Sequence, residues 1–197
     1  KAHLSSKNMI ELINNLLNTS RVESGKIKIA PELINPQQFT KKIIEEIKPM
    51  ALKKSQKILF RNALKIRNTF MADPTILKEI LQNLISNAIK YSPAKTGIVK
   101  ISLAITRKDL VWTISDNGIG MPRKEQKFLF EQFFRASNIT TSDIMGTGLG
   151  LYVIKQLVNI SGGNIVLKSK ENKGTTAILT FPLIGMKKVE GEKNLAG

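Results

Sequence analysis

A chain of 197 residues with 42% hydrophobic content can bury one core, and the lack of cysteine rules out disulfides and thiolate metal sites. A single histidine rules out histidine metal clusters, and no run approaches the ~18 apolar residues of a membrane span. The net charge of +16 comes from 25 Lys and 6 Arg spread along the chain with only 6% aromatics; this describes a solvated basic surface suited to an anionic nucleotide or acidic partner, and no nucleic acid is expected.

Leu4 to Thr19 place Met9, Ile10, Leu12, Ile13, Leu16 and Leu17 on a broad apolar face, an amphipathic helix whose stripe calls for a partner helix. The pattern is already under way at the first residue and reads as the end of a longer helix. Gly25 is placed to cap it. Lys26–Ala30 alternates like a half-buried strand. Asn35-Pro36 opens a helix to about Lys54 with Phe39, Ile43, Ile44, Ile47 and Ala51 inward, and Pro49 within it predicts a kink or an early end.

Lys57–Asn62 and Thr69–Ala72 read as short strands. Asp73-Pro74 is an N-cap followed by proline at the first helical position of a helix to Tyr91. Ile98–Thr106 and Leu110–Ser115 read as a hairpin turning at Arg107-Lys108-Asp109. A helix to about Ile160 and strands near Asn164–Ser169 and Thr175–Pro182 follow, and the tail from Gly185 is expected to fray. The order predicts an α+β two-layer sandwich, a mixed and mainly antiparallel sheet with helices on one face.

Two features point to chemistry. On the Pro74–Tyr91 helix, Glu79, Asn83, Ser86, Asn87 and Lys90 share an arc of about 100° opposite its apolar side. Asparagine is a mediocre helix former, and carboxamide oxygens can ligate a hard cation whose charge a phosphate balances. Between residues 116 and 150, Gly118, Gly120, Gly146, Gly148 and Gly150 let backbone approach a ligand. The second glycine cluster runs straight into a helix, whose N-terminus with its free N–H groups favours an anion.

These stretches resemble the boxes of sensor histidine kinases. Asn83-Leu-Ile-Ser-Asn87-Ala-Ile-Lys90-Tyr91 resembles the N box and Asp116-Asn-Gly118-Ile119-Gly120 the first glycine box. Phe130-Glu-Gln-Phe133-Phe134-Arg135 is similar to the F box, Gly146-Thr147-Gly148-Leu149-Gly150-Leu151 to the second glycine box, and Gly174-Thr175-Thr176 to a short third box. The superfamily is shared with gyrase, MutL and a heat-shock chaperone, and implies the Bergerat ATP-binding fold.

The resemblance implies ATP and Mg²⁺ as ligands. Asp116 would accept from the adenine amine, with Gly118, Ile119 and Gly120 at the base. Asn87 would ligate Mg²⁺ with Asn83 nearby. Lys90 and Arg135 would contact phosphate, Tyr91 would pack near the nucleotide, and the stretch Gly146, Thr147, Gly148, Leu149, Gly150 and Leu151 would cradle phosphates. Phe130 is placed at the site as part of a lid from Pro122 to Met145, whose Asn138–Asp143 portion is expected to be disordered without nucleotide. Thr176 borders the adenine pocket or is an ordinary strand threonine.

ATP-hydrolysing relatives carry a glutamate four residues before the Mg²⁺ asparagine. Here that position is Asn83, a poor general base, which favours phosphoryl transfer to a protein histidine. His3 lacks the family's phosphoacceptor context, so no acceptor is expected in this chain. The implied organisation is the end of a dimerisation hairpin (1–24), a catalytic ATP-binding domain (25–185) and a flexible tail (186–197). The implied partners are the chain's own dimerisation domain, as a homodimer in the full-length protein, and a response regulator. The implied location is cytoplasmic, with any membrane attachment through upstream segments.

Overall fold

The first helix, α1 (Ala2–Glu23), ends on a Schellman motif. Gly25 takes φ +65°, its N–H bonds the Val22 carbonyl, and Lys26 N–H bonds that of Arg21. The computed structural model describes residues 2–63, 69–140, 146–192 and 195, without the side chains of 2–8, 10, 11, 15 and 140. Helix α1 outruns the expected Thr19 because Asn18, Thr19 and Val22 are buried as it lies against a later helix. Met9, Leu12, Ile13, Leu16 and Leu17 remain exposed on its other side.

The alternation at Lys26–Ala30 is real, since Ile27 and Ile29 are buried between exposed neighbours. It forms no regular strand, however, and Ile29 instead exchanges two backbone hydrogen bonds with Val189. The tail expected to fray from Gly185 is held here: Met186 is buried and donates to the Met71 carbonyl, and Lys187 donates to that of Ser161. Unanticipated from sequence is β1 (Glu32–Ile34), which pairs antiparallel with β3 (Phe70–Ala72).

Between them run α2 (Pro36–Lys53) and β2 (Lys57–Asn62). Asn35 caps α2 by accepting from Gln38 N–H, and the helix passes through Pro49 because Pro49 and Glu45 both face solvent. Helix α3 (Pro74–Tyr91) starts on Asp73, whose Oδ1 accepts from Thr75 and Ile76 N–H, as its sequence predicts. Asp73 Oδ2 also accepts from Ala30 N–H, tying the N-terminal segment to α3.

Strands β4 (Ile98–Ile105) and β5 (Asp109–Asp116) form the expected hairpin, closed by Thr106 N–H on the Asp109 carbonyl. After a short 3₁₀ turn and α4 (Ser137–Thr140) come α5 (Gly150–Ile160), β6 (Asn164–Lys170) and β7 (Gly174–Pro182). Among the described residues the main sheet has the order β2-β4-β5-β7-β6, antiparallel except for the β2–β4 pair. Helices α2, α3 and α5 cover one face, and α1 lies on α5, confirming the two-layer α+β arrangement.

Strand alternation assigns the two faces. Ile101, Ile114, Ala177 and Leu167 project under the helices, whereas Lys100, Ser115, Thr176 and Lys168 project from the open face. The covered core centres on Phe70, Trp112 and Phe181, whose ring centroids lie 6.1–6.4 Å apart in tilted and edge contacts. The fully buried indole N–H of Trp112 donates to Thr40 Oγ1 at 2.9 Å, and Thr40 donates in turn to the Pro36 carbonyl.

Candidate functional site

Helix α3 turns its apolar side (Leu77, Ile80, Leu81, Ile85) into the core and leaves its polar stripe over a cleft. Asn83, Asn87 and Lys90 line that cleft; Glu79 and Ser86 of the same arc do not. Asn87 Nδ2 donates to Asn83 Oδ1 at 2.8 Å, which directs the other branch of the Asn87 amide, its oxygen, away from Asn83.

The end of α3 is held from a distance. Lys54 Nζ donates to the carbonyls of Ile89, Lys90 and Ser92 at 2.8–3.0 Å. Gln56 Nε2 donates to those of Ile89, Ser92 and Pro93 at 2.9–3.1 Å. A helix C-terminus whose last carbonyls would need partners is thus satisfied by an ammonium and an amide from the α2–β2 junction. Partial burial pulls the Lys54 ammonium below its usual pKa. This clasp positions Lys90 and Tyr91 at the cleft.

Asp116, at the end of β5, forms the far wall. Its Oδ1 accepts from Gly118 N–H at 2.8 Å and Thr175 N–H at 3.2 Å, and no described residue bonds Oδ2. Burial pushes this carboxyl above its ordinary value, and the two N–H groups partly oppose that. The wall is packed backbone on backbone. A Cβ on Gly118 would lie 2.5 Å from the Tyr91 carbonyl, and one on Gly120 (φ +58°) 2.0 Å from that of Lys170. These glycines are needed for close approach of the chain to itself as well as for access to a ligand.

The opposite wall is the loop leading into α5. Lys90 Nζ and the Tyr91 hydroxyl reach to 3.7 and 3.8 Å of the place a Cβ on Gly146 would take, and Asn83 Nδ2 lies 2.7 Å from that on Gly150. The structure therefore gathers Asn83, Asn87, Lys90, Tyr91, Asp116, Gly120, Arg135, Gly146, Thr147, Gly148, Gly150 and Leu151 around one cleft.

Five expected residues do not line it. Gly118 and Ile119 support the Asp116 wall from behind, with Ile119 N–H on the Tyr91 carbonyl. Leu149 is fully buried at the start of α5. Phe130 packs against the main core beneath Lys155, whose Nζ lies 5.4 Å from its ring centroid; Phe134 faces the cleft instead. Thr176 is on the open face, its hydroxyl 3.0 Å from that of Ser115, and its neighbour Thr175 lines the cleft. Thr176 thus has the placement of an ordinary strand threonine. Counting back in twos from Phe181 through Leu179 and Ala177 would have picked out Thr175. Also unanticipated was the apolar wall of Ile114, Met121, Leu129, Ile139 and Leu167, which suits a flat aromatic guest.

The segment between the walls is partly ordered. Ser137–Thr140 forms α4, Ile139 is buried, and Asn138 Nδ2 donates to the Gly120 carbonyl at 3.0 Å. The stretch expected to be disordered without nucleotide thus has a defined place for residues 138–140, whereas residues 141–143 lie outside the described residues. The side chain of His3 lies outside them too. Among the described residues no group of three or more His, Asp, Glu or Cys could hold a metal. A cation here would rely on carboxamide oxygen and on the ligand's own phosphates, a donor set that fits Mg²⁺. Among the described residues, no helix is long and apolar enough to cross a membrane.

An acidic group at one end of an apolar slot, with amides, cations and a glycine loop at the other, matches what nucleotide-binding ATPases require. Residues 72–185 match the model of the histidine kinase-, DNA gyrase B- and HSP90-like ATPase family, and the chain belongs to that family. It is 34% identical over 180 residues to the sensor histidine kinase WalK of Bacillus subtilis, covering 90% of this chain and 29% of WalK. It is 32% identical over 181 residues to the circadian input-output histidine kinase CikA of Synechococcus elongatus, covering 91% of this chain and 24% of CikA.

Among solved structures, full-length ShkA in complex with AMPPNP superposes with a TM-score of 0.77 at 20% identity, covering 96% of this chain and 38% of ShkA. The nucleotide-free catalytic domain of the histidine kinase ThkA superposes with a TM-score of 0.68 at 23% identity, covering 78% of this chain and 96% of that domain. These likenesses establish the histidine kinase ATPase fold. The chain spans less than a third of the length of the two curated relatives.

Proposed function

We propose that this chain is the ATP-binding catalytic part of a sensor histidine kinase, delivering the γ-phosphoryl of Mg²⁺-ATP to a histidine on its dimerisation domain. A response regulator aspartate would receive it next. One observation carries the transfer reading. Among the described residues lining the cleft, Asp116 is the sole carboxylate, and it stands at the end away from the glycine loop. The Asp116 wall packs on the Tyr91 carbonyl, whereas Gly150 packs on Asn83, eight residues and about 12 Å of helix rise away. No described residue at the loop end can act as a strong base toward water, which favours transfer by positioning and charge over hydrolysis.

In this reading Asp116 accepts from the adenine amine, while the apolar wall and Gly120 enclose the base. Asn87, oriented by Asn83, holds Mg²⁺, and Lys90 and Arg135 meet phosphate together with backbone N–H groups of the loop at Gly146–Gly150. Bound Mg²⁺ would neutralise triphosphate charge. The exposed stripe of α1 would complete the dimerisation hairpin of a homodimer, with 1–24, 25–185 and 186–197 as the functional divisions. A cytoplasmic setting suits such a relay, with any membrane attachment through segments outside these residues.

Calorimetry with Mg²⁺-ATP should show binding that Asp116→Asn abolishes. Radiolabelled ATP should label an added dimerisation domain bearing its histidine and leave this chain unlabelled. Unaltered affinity in Asp116→Asn would refute the site, and brisk ATP hydrolysis without an acceptor would refute the transfer reading.

A further inference from the structure

A second concavity lies on the far side of the sheet's β2 edge, and it plays no part in the nucleotide site. Helix α2 overhangs this edge strand, and the space between them, about 450 Å³, is walled by Ile44, Ala51, Leu52, Ile58 and Phe60. Strand β2 ends the sheet, pairing with β4 alone among the described residues. Its Lys57 N–H bonds the Gly97 carbonyl and Ala63 N–H bonds that of Leu103. A parallel ladder uses alternate residues, so Ile58 and Phe60 turn their N–H and C=O groups outward, where no described strand meets them.

An exposed edge beside an apolar groove can be completed by an added strand. Alternate side chains of such a strand would enter the groove beneath α2. The others would lie on the open face beside Lys57, Leu59 and Arg61, all exposed. The charge around the groove is one-sided. On its α2 rim Lys48 and Glu45, the one carboxylate among its described lining residues, pair with each other at 3.4 Å and leave Lys41 as the unmatched charge, while Lys57 and Arg61 stand on the other side. Among the described residues no carboxylate pairs with Lys41, Lys57 or Arg61.

We propose that the β2 edge and the groove under α2 form a docking site for an extended segment of a partner protein in which apolar and acidic residues alternate. The apolar residues fill the groove, the carboxylates meet Lys57 and Arg61, and the backbone pairs with Ile58 and Phe60. This proposal stands independently of the nucleotide reading.

The probe is the peptide acetyl-Val-Glu-Val-Glu-Val-Glu-amide, titrated into the ¹⁵N-labelled chain and followed by amide shifts. Shifts should map to β2 and α2, and binding should vanish when the glutamates are replaced by lysine or when alternate peptide nitrogens are methylated. Leu52 is 62% exposed, so Leu52→Glu leaves the fold intact while placing a charge over the groove; it should weaken binding by about tenfold or more. Equal binding of the lysine peptide, undiminished binding by Leu52→Glu, or shifts elsewhere would overturn the proposal. Sedimentation showing that the chain self-associates through this edge, with Leu52→Glu monomeric, would overturn it in favour of a second copy.

Discussion

Asn87 and Asn83 meet amide to amide at 2.8 Å on successive turns of α3, and Gly150 sits directly against Asn83. A Cβ at residue 150 would fall 2.7 Å from Asn83 Nδ2 and 3.2 Å from its Oδ1. Gly150→Ala should therefore displace Asn83, release Asn87 from its orientation and weaken Mg²⁺-nucleotide binding about tenfold with the fold retained. In an Asn83→Ala background the same substitution should cost almost nothing further. Calorimetry on the four proteins of this cycle measures the coupling, and additive losses would contradict it.

Asp116 opposes function to stability. Its carboxyl lies above the ordinary 3.8 because burial outweighs the two N–H donors. The folded protein thus holds the proton more tightly than the unfolded chain, so this group's stabilising contribution is full at low pH and lost as pH rises from 3.8 through the raised value. At neutral pH its ionised form is a net cost to the nucleotide-free fold. Asp116→Asn keeps the oxygen that accepts from Gly118 and Thr175, so it should raise the Tm of the nucleotide-free protein at neutral pH while abolishing ATP binding. For the native protein, ATP affinity should fall as pH drops through the raised pKa, by about tenfold per unit below it. Thermal melts and calorimetry across this range check both halves.

Lys54→Met removes three hydrogen bonds from the end of α3 and leaves carbonyls that only Gln56 partly serves. It should destabilise the fold by about 3 kcal/mol in chemical denaturation. Lys54→Arg should recover part of this loss. A loss below about 0.5 kcal/mol would mean that water replaces the ammonium at no cost.

Glu23 Oε1, in the last turn of α1, accepts from Gln132 Nε2 at 2.6 Å and the Tyr152 hydroxyl at 2.8 Å. One exposed carboxylate thereby joins α1, the segment beside the cleft and α5. Glu23→Ala should change global stability by no more than about 1 kcal/mol. Amide exchange in the last turn of α1 and around residues 129–135 should nevertheless quicken. Tyr152→Phe should show part of the effect. Unchanged exchange in both variants would mean that the carboxylate does not restrain these segments.

Local signals carried much of this architecture. The Asp73-Pro74 start, the amphipathic split of α3 and the Gly25 cap each rest on residues within a few positions of one another, where propensity and capping act. What could not be read is what distance decides. Strand β1 is three residues long and exists because β3, far along the chain, supplies its partner. Ile29 finds Val189, and Lys54 finds carbonyls more than thirty residues away. The site was legible where a motif names a residue and less so where side-chain direction matters. Phe130 and Phe134 belong to one motif, yet only the latter faces the cleft. Thr175 and Thr176 were separable by strand alternation alone.

Phe133 adopts φ +62°, a left-handed conformation costing a non-glycine residue about 1–2 kcal/mol, and the residue is 60% exposed. Its main chain occupies the space a side chain at Gly148 would need, at 2.6–2.8 Å from that Cβ position. Two segments far apart in sequence are therefore geared together by bare backbone. Neither can turn far without meeting the other. Alanine scanning of the side chains between the walls would pass over this gear, because Phe133→Ala keeps the backbone that engages it. Only a change at Gly148, which cannot accept a Cβ, or Phe133→Gly, which removes the strain, would touch the gear itself.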